Sequence, residues 1–320
     1  HANAELARKL ANGPPVWRYY DRTCRAFEHD VPLSSGRVLH PRLPPPPPDP
    51  IPGQTGKSGP HPPPWFYDEA TLDAAYDLIV GGKLGQRAGT DLLGIGLSGT
   101  DMVGHAYGTQ GPEMCDHMAR FDAMLGGFLD RTVAISSNTL FVVTADHGGM
   151  DFPERQAMRG YPAAHRLDSR KFLDDLNRTV QHDTGIDWQP LRMAFIDPSR
   201  LWLVGADGKT LNDESLRARI LDSALQVLRR TQGVVQAWPA TVLAEHRHDS
   251  AVMPDLMSLQ ERMALSMYGD RSGDLLIAFD PQVTVFPALP GLILEGHSAP
   301  YDFDRRVPLL FWGRGVSAEE

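Results

Sequence analysis

Hydrophobic residues along the chain follow two different spacings. Residues 91–97 and 139–144 are short apolar runs that end in polar residues, as strands buried in a sheet do. Between these runs, apolar residues recur at helical spacing from Pro112 to Phe128, which predicts a helix with one buried face. The order strand, helix, strand predicts parallel strands joined by a helical crossover.

The same two spacings predict the other elements. Helices are expected over residues 2–12, 71–80 and 212–230, and strands over residues 201–204, 275–279 and 307–312. We therefore expect an α/β fold with a mostly parallel central sheet, helices on both faces and an inserted cap region.

A proline-rich stretch sets off the first part of the chain. About half of the positions between Pro41 and Pro64 are proline, including the run Pro44 to Pro48. Such a stretch favours the polyproline II conformation and predicts a stiff surface connector, with a ligand for an SH3-type domain as the alternative.

These patterns predict the domain organisation. We expect residues 1–67 to form an irregular, proline-rich upstream segment and residues 68–320 to be part of a single domain. Residues 151–271 carry a more variable pattern, and we interpret them as a cap or insertion on that domain.

Composition narrows the function classes. The chain has 320 residues, a formal net charge of -9, and no apolar run long enough to span a membrane. This charge repels a nucleic-acid backbone, so an anionic substrate needs a local positive centre such as a metal ion. The two cysteines, Cys24 and Cys115, allow at most one internal disulfide and leave the redox compartment open.

The first candidate site follows the predicted strand 91–97. Asp101 stands just after the carboxyl end of this strand and His105 comes four residues later, with Gly104 predicted to allow a tight turn between them. Ligands bind at the carboxyl ends of parallel strands, and an Asp and a His are both zinc ligands. The ordinary alternative is a turn-capping Asp beside a loop histidine.

A second pair repeats this arrangement. Asp146 and His147 directly follow the predicted strand 139–144, and His297 lies in a loop before the last predicted strand. Either pair alone is also explained by an aspartate that caps a turn beside a loop histidine. Two pairs that both follow predicted buried strands favour a metal centre.

Three sequence blocks carry a family resemblance. They are TDLLGIGLSGTDMVGHAYG at 90–108, VTADHGG at 143–149, and GHSAPYDFD at 296–304 followed by VPL at 307–309. In their order and spacing the chain resembles the alkaline phosphatase superfamily, specifically the bacterial monomeric alkaline phosphatases related to type I phosphodiesterases and nucleotide pyrophosphatases. The resemblance implies hydrolysis of phosphate monoesters through a phosphoenzyme.

The resemblance also implies roles for the candidate residues. It assigns Asp101, His105 and His297 to one zinc ion, and Asp146 and His147 to a second. The family completes the second site with an upstream aspartate and a Thr or Ser nucleophile, and no matching segment precedes the first pair. We therefore expect this chain to be a piece that lacks the nucleophile-bearing amino-terminal half, with an incomplete second zinc site.

Two other functions stay open. The first is a phosphodiesterase or nucleotide pyrophosphatase of the same superfamily, and the second is an inactive metal-binding remnant. The expected partners are small-molecule phosphate esters, without nucleic acid or a membrane span. The family resemblance further implies a monomer with a periplasmic or secreted location.

Overall fold

A computed structural model describes residues 2–11, 13–48, 62–194, 197–313 and 315–317. In chain order, helices α1–α10 span Ala2–Ala11, Pro64–Gly82, Gly99–Tyr107, Pro112–Ile135, Pro153–Met158, Ser169–Thr184, Glu214–Leu228, Ala240–Ala244, Leu259–Leu265 and Asp302–Arg305. Strands β1–β10 span Val31–Pro32, Val38–Leu39, Leu140–Thr144, His165–Arg166, Leu191–Met193, Arg200–Leu203, Val234–Pro239, Leu275–Phe279, Val283–Thr284 and Leu309–Gly313.

The described residues divide into two units. The first runs to Phe152 and also includes Ala288–Glu295 and the residues from Val307 onward. The second comprises Pro153–Pro287 and Gly296–Arg306. The interpretation of residues 151–271 as a cap stays a prediction.

Helices α2 and α4 carry a hydrophobic cluster of the first unit. Leu72, Ala75 and Ile79 lie at helical spacing on α2 and pack with Phe128 of α4, and all four are buried. The helices predicted over residues 71–80 and from Pro112 are confirmed, and both extend further than predicted.

Residues 91–97 differ from the prediction. Leu93, Ile95 and Leu97 pack against the cluster of α2 and α4, whereas Leu92 is 97% exposed. This segment is not a strand and has no ladder partner within the described residues. The prediction of a strand buried on both faces is wrong because alternate residues find a hydrophobic neighbour on one side only.

Strand β3 confirms the strand predicted over residues 139–144, but the predicted burial is wrong, because Leu140 and Val142 are 55% and 51% exposed. The ladder partner of β3 is distant in sequence. It pairs antiparallel with β10, from Leu309 opposite Thr144 to Gly313 opposite Leu140. Among the described strands, β4 and β9 pair in parallel and the other pairs are antiparallel. Strand direction differs from the expectation because hydrophobic spacing reports burial and not which segment is the neighbour.

The second unit is built on a four-stranded antiparallel sheet in the order β5, β6, β8, β7. Leu201 and Leu275 of this sheet are fully buried in a cluster with Ile220 of α7. The predicted strands 201–204 and 275–279 and the predicted helix 212–230 are confirmed. Helix α6 and strand β7 were not predicted.

A disulfide and a buried carboxylate attach the upstream segment to α4. Cys24, in the 3-10 helix Arg22–Phe27, is bonded to Cys115 of α4, which settles the pairing that the sequence left open. The neighbouring Asp116 is fully buried and accepts hydrogen bonds from Trp17 Nε1 at 2.8 Å and from the Asp21 amide at 3.1 Å.

Two further expectations concern the surface. Pro44 to Pro48 lie in neither helix nor strand, and the rest of the predicted connector, residues 49–61, lies outside the described residues. Within the described residues, no helix has the length and apolar character needed to cross a bilayer.

Candidate metal centre

Helix α3 carries both residues of the first predicted pair of ligands. Asp101 and His105 lie one helical turn apart on the same face, with Asp101 Oδ1 3.4 Å from His105 Nε2. The predicted tight turn at Gly104 is wrong, because Gly104 lies inside the helix. Its role is close packing, since a Cβ at this position would lie 3.2 Å from Glu295 Oε1.

The ring of His105 is oriented by a distant part of the chain. Its Nδ1 lies 2.9 Å from the carbonyl oxygen of Glu295, and the Leu294 amide donates to the His105 carbonyl at 2.6 Å. A carbonyl oxygen only accepts, so Nδ1 carries a proton and, in the neutral ring, Nε2 carries the lone pair. This is the arrangement in which histidines bind metal ions.

The second predicted pair follows β3, as expected. His147 Nδ1 lies 2.8 Å from the Gly148 carbonyl, so in the neutral ring its Nε2 also carries the lone pair. This Nε2 is 3.8 Å from Asp146 Oδ2 and 3.9 Å from Asp101 Oδ1. The Asp101 carboxylate therefore lies within 4 Å of both histidine nitrogens.

The donor set fits zinc in both chemistry and spacing. Two atoms bound tetrahedrally to one zinc ion at about 2.1 Å lie about 3.4 Å apart. Asp101 and His105 have this spacing, and the two contacts of His147 are slightly longer. The side chains of both histidines are 26% exposed and that of Asp146 is 90% exposed, so the group is open to solvent.

His297 belongs to the second unit, in a loop whose backbone is constrained. A Cβ on the preceding Gly296 would lie 2.0 Å from the ring of Phe286, and the following Ser298 has a φ of 84°. A left-handed backbone at a residue other than glycine is uncommon and occurs preferentially at functional sites. His297 is two residues from Glu295 along the chain, and its role as a ligand stays a prediction.

Comparisons with known proteins identify the family. The profile described as Type I phosphodiesterase / nucleotide pyrophosphatase matches residues 65–287. The chain belongs to this family.

Two curated relatives of this family member are bacterial. It is 36% identical over 255 residues to alkaline phosphatase PhoK of Sphingomonas sp, covering 78% of this chain and 44% of that protein. It is also 36% identical over 258 residues to alkaline phosphatase PhoD of Zymomonas mobilis, covering 79% and 43%. The chain thus spans less than half the length of the curated relatives it matches.

The fold has a solved counterpart. A crystal structure of wild type alkaline phosphatase PafA superposes with a TM-score of 0.64 and 22% sequence identity, covering 79% of this chain and 46% of that one. The predicted superfamily and the predicted α/β, alkaline phosphatase-like fold are confirmed. The metal ligands and the nucleophile stay predictions.

The sequence patterns assign no role to three residues that contact α3. Asp68 Oδ1 accepts the Gly99 amide at 3.0 Å, and the Glu295 carbonyl lies 2.9 Å from His105 Nδ1. His117 is fully buried, and its Nε2 lies 3.1 Å from Thr100 Oγ1. The sequence did contain a signal for two of these residues, since Asp68 and His117 stand on the apolar faces of α2 and α4, where polar side chains are uncommon.

Proposed function

We propose that the protein to which this chain belongs is a zinc-dependent hydrolase of phosphate monoesters. In this proposal Asp101, His105 and His297 hold one zinc ion, and Asp146 and His147 contribute to a second. The observation that carries the proposal is the 3.4 Å spacing of Asp101 Oδ1 and His105 Nε2. Family membership and the two relatives named alkaline phosphatase support it.

The proposed chemistry assigns a task to each protein group. Bound zinc ions supply positive charge that stabilises phosphoryl oxygens and lowers the pKa of an attacking oxygen. The carbonyl oxygens of Glu295 and Gly148 accept from Nδ1 of His105 and His147, so Nε2 is the nitrogen that each neutral ring would offer to zinc. Asp101 contributes a carboxylate within reach of both histidines.

We place the nucleophile outside this chain. In this proposal a Thr or Ser hydroxyl would attack the phosphorus and the bond to the ester oxygen would break, which releases the alcohol; water would then release inorganic phosphate and restore the hydroxyl. Thr100 precedes Asp101 in sequence, and its hydroxyl lies 3.1 Å from His117 Nε2. Because the proposal places the nucleophile outside the chain, we expect the purified 320-residue chain to lack turnover of an aryl phosphate in excess zinc. Robust turnover that Thr100→Ala or Ser98→Ala abolishes contradicts this assignment.

Substrates and location follow the same proposal. We expect small-molecule phosphate esters as substrates, a monomer, and a periplasmic or secreted location. The Cys24–Cys115 disulfide supports an oxidising compartment, and the net charge of -9 opposes nucleic-acid binding.

A phosphodiesterase or nucleotide pyrophosphatase is the second candidate, and the family profile over residues 65–287 favours it. Rates of the full-length protein on p-nitrophenyl phosphate and bis-p-nitrophenyl phosphate separate the two activities. Faster monoester hydrolysis supports the proposal, and faster diester hydrolysis supports the alternative. Zinc binding without either activity identifies an inactive metal-binding remnant.

The metal centre is tested directly on this chain by isothermal titration with zinc. Asp101→Ala is expected to weaken zinc binding at least tenfold, because it removes one of the three ligands that the proposal assigns to the first ion. Asp122→Ala removes an exposed carboxylate of α4 and serves as the matched control. Equal zinc affinity in the two variants rejects the assignment.

A further inference from the structure

A buried carboxylate on α2 binds the start of the helix that carries the first pair of ligands. Asp68 is 1% exposed, and its Oδ1 accepts the Gly99 amide at 3.0 Å. The backbone N–H of Ser98 also donates to this carboxylate. These two amides begin α3, and Asp101 follows two residues later.

Gly99 permits this contact because it has no side chain. A Cβ at Gly99 would lie 2.1 Å from Asp68 Oδ2 and 2.9 Å from His117 Cε1. Helix α3 therefore begins in direct backbone contact with two buried polar side chains. Any larger residue at this position moves either the helix or the carboxylate.

His117 of α4 lies against the same place. Its Nε2 is 3.8 Å from Asp68 Oδ2 and 3.1 Å from the hydroxyl of Thr100, the residue before Asp101. Burial lowers the pKa of His117 to about 4, so the ring is neutral at pH 7. Burial also raises the pKa of the Asp68 carboxyl, against the effect of the two amide hydrogen bonds.

The other end of α3 is attached separately. Near its carboxyl end, the carbonyls of His105 and Ala106 accept the amides of Leu294 and Gly291 at 2.6 and 3.0 Å. Asp68 therefore holds the end of the helix nearest Asp101, while the 291–295 segment holds the end nearest His105.

We propose that Asp68, with His117 packed beside it, is a positioning residue that fixes the start of α3 and with it the place of Asp101. The inference rests on the proposed metal centre. Ligand atoms need placement to within about 0.5 Å, and loss of a residue that orients ligands typically costs 10- to 100-fold in metal affinity. Asp68 acts through the amides of α3 and does not itself touch the ion.

Zinc affinity of the 320-residue chain, measured by competition with a chromophoric chelator, tests this role. Asp68→Ala is expected to weaken zinc binding about 10- to 100-fold. Asp68→Asn keeps a carbonyl oxygen for the two amides and is expected to restore most of the affinity. Asp77→Ala removes an exposed carboxylate of the same helix and is the matched control. Equal affinity of Asp68→Ala and Asp77→Ala overturns the proposal.

The visible absorption of bound Co²⁺ distinguishes positioning from general stability. A displaced Asp101 alters the ligand field, so the cobalt bands of Asp68→Ala are expected to differ from wild type while those of Asp68→Asn match it. Unchanged bands in Asp68→Ala overturn the proposal. If Asp68→Ala does not fold, Gly99→Ala replaces it, since a single methyl group displaces the same carboxylate.

Amide hydrogen exchange of the metal-free chain separates this inference from the proposed function. Asp68→Ala is expected to speed exchange of the Gly99 and Met102 amides, which bond to Asp68 and to the Ser98 carbonyl, and to leave α7 unchanged. If the wild type binds no zinc, the metal centre is rejected and this exchange pattern alone decides the role of Asp68. Equal acceleration in α3 and α7 indicates general destabilisation and rejects positioning.

Discussion

The Nδ1 of His105 lies 2.9 Å from the carbonyl oxygen of Glu295, although 190 positions separate the two residues in sequence. This single contact selects the tautomer of His105 and turns its Nε2 toward Asp101. It also ties α3 to the residue that stands two positions before His297. The geometry of the candidate metal centre therefore depends on the position of the distant segment around Glu295 as well as on the motif around Asp101.

The zinc stoichiometry of this chain is the first prediction. We expect one tight site in the 320-residue chain, because the proposal assigns three ligands to the first ion and only Asp146 and His147 to the second. In a full-length protein we expect two tight sites. Titration with zinc of both proteins, and of His147→Ala in each, measures this. His147→Ala is expected to remove the second site only, and equal stoichiometry in the two wild-type proteins contradicts the assignment.

The histidine on α3 provides a sharper test of the first site. His105→Ala is expected to weaken zinc binding at least tenfold, because it removes a ligand whose ring is already oriented. His182→Ala, on the exposed face of α6, is expected to change nothing. Chelator competition measures both variants. A His105→Ala chain that retains the affinity of the wild type disproves the role of this histidine.

The protein is expected to become less stable in acid because His117 is buried. Its pKa falls from 6.5 to about 4 in the folded protein, so between these values the unfolded chain binds more protons. The free energy of unfolding therefore decreases as the pH falls from about 6.5 to about 4, by about 3 kcal/mol at most from this residue. The raised pKa of Asp68 acts in the opposite direction above pH 3.8.

Urea unfolding of wild type and His117→Gln at several pH values isolates this contribution. The comparison keeps Asp68, Asp116 and Arg120, the charged groups that face the ring or shift its pKa. The difference in unfolding free energy between the two proteins is expected to shrink as the pH falls below 6.5. A difference that is independent of pH refutes the prediction.

Reduction of the disulfide is expected to destabilise the protein substantially. Cys24 and Cys115 close a loop with a sequence separation of 91. A disulfide that closes a loop of this size typically raises the free energy of unfolding of the protein by about 2–5 kcal/mol. Urea unfolding with and without reductant measures the loss. The Cys24→Ser/Cys115→Ser double variant serves as control, since reductant should not change it. An identical unfolding midpoint for wild type in both conditions rules out a stabilising bond.

The loop around His297 yields the last prediction. Gly296→Ala places a methyl group against the ring of Phe286 and is expected to lower the unfolding free energy by about 1–3 kcal/mol and to weaken zinc binding. Gly126→Ala, in α4 with no atom near its Cβ, is expected to be neutral or slightly stabilising. Equal zinc affinity in the two variants separates His297 from the metal centre.

Sequence patterns predicted the elements whose hydrophobic spacing is regular. Helix α7 and strands β3 and β8 were each predicted to within two residues of their observed bounds, and α4 was predicted from its first residue but ends at Ile135 rather than Phe128. The motifs around Asp101 and Asp146 likewise identified the candidate ligands and the family, because a motif consists of residue types in a fixed order and is visible in the sequence alone.

Which segments meet was decided by the tertiary structure alone. Neither the antiparallel pairing of Leu309 with Thr144 nor the helical conformation of α3 follows from hydrophobic spacing. The contacts that orient the centre, from Asp68 to Gly99 and from His105 to Glu295, join residues 31 and 190 positions apart. Periodicity records only that a side chain is buried, whereas its neighbour depends on packing and hydrogen bonding between distant segments, and these exist only once the chain has folded.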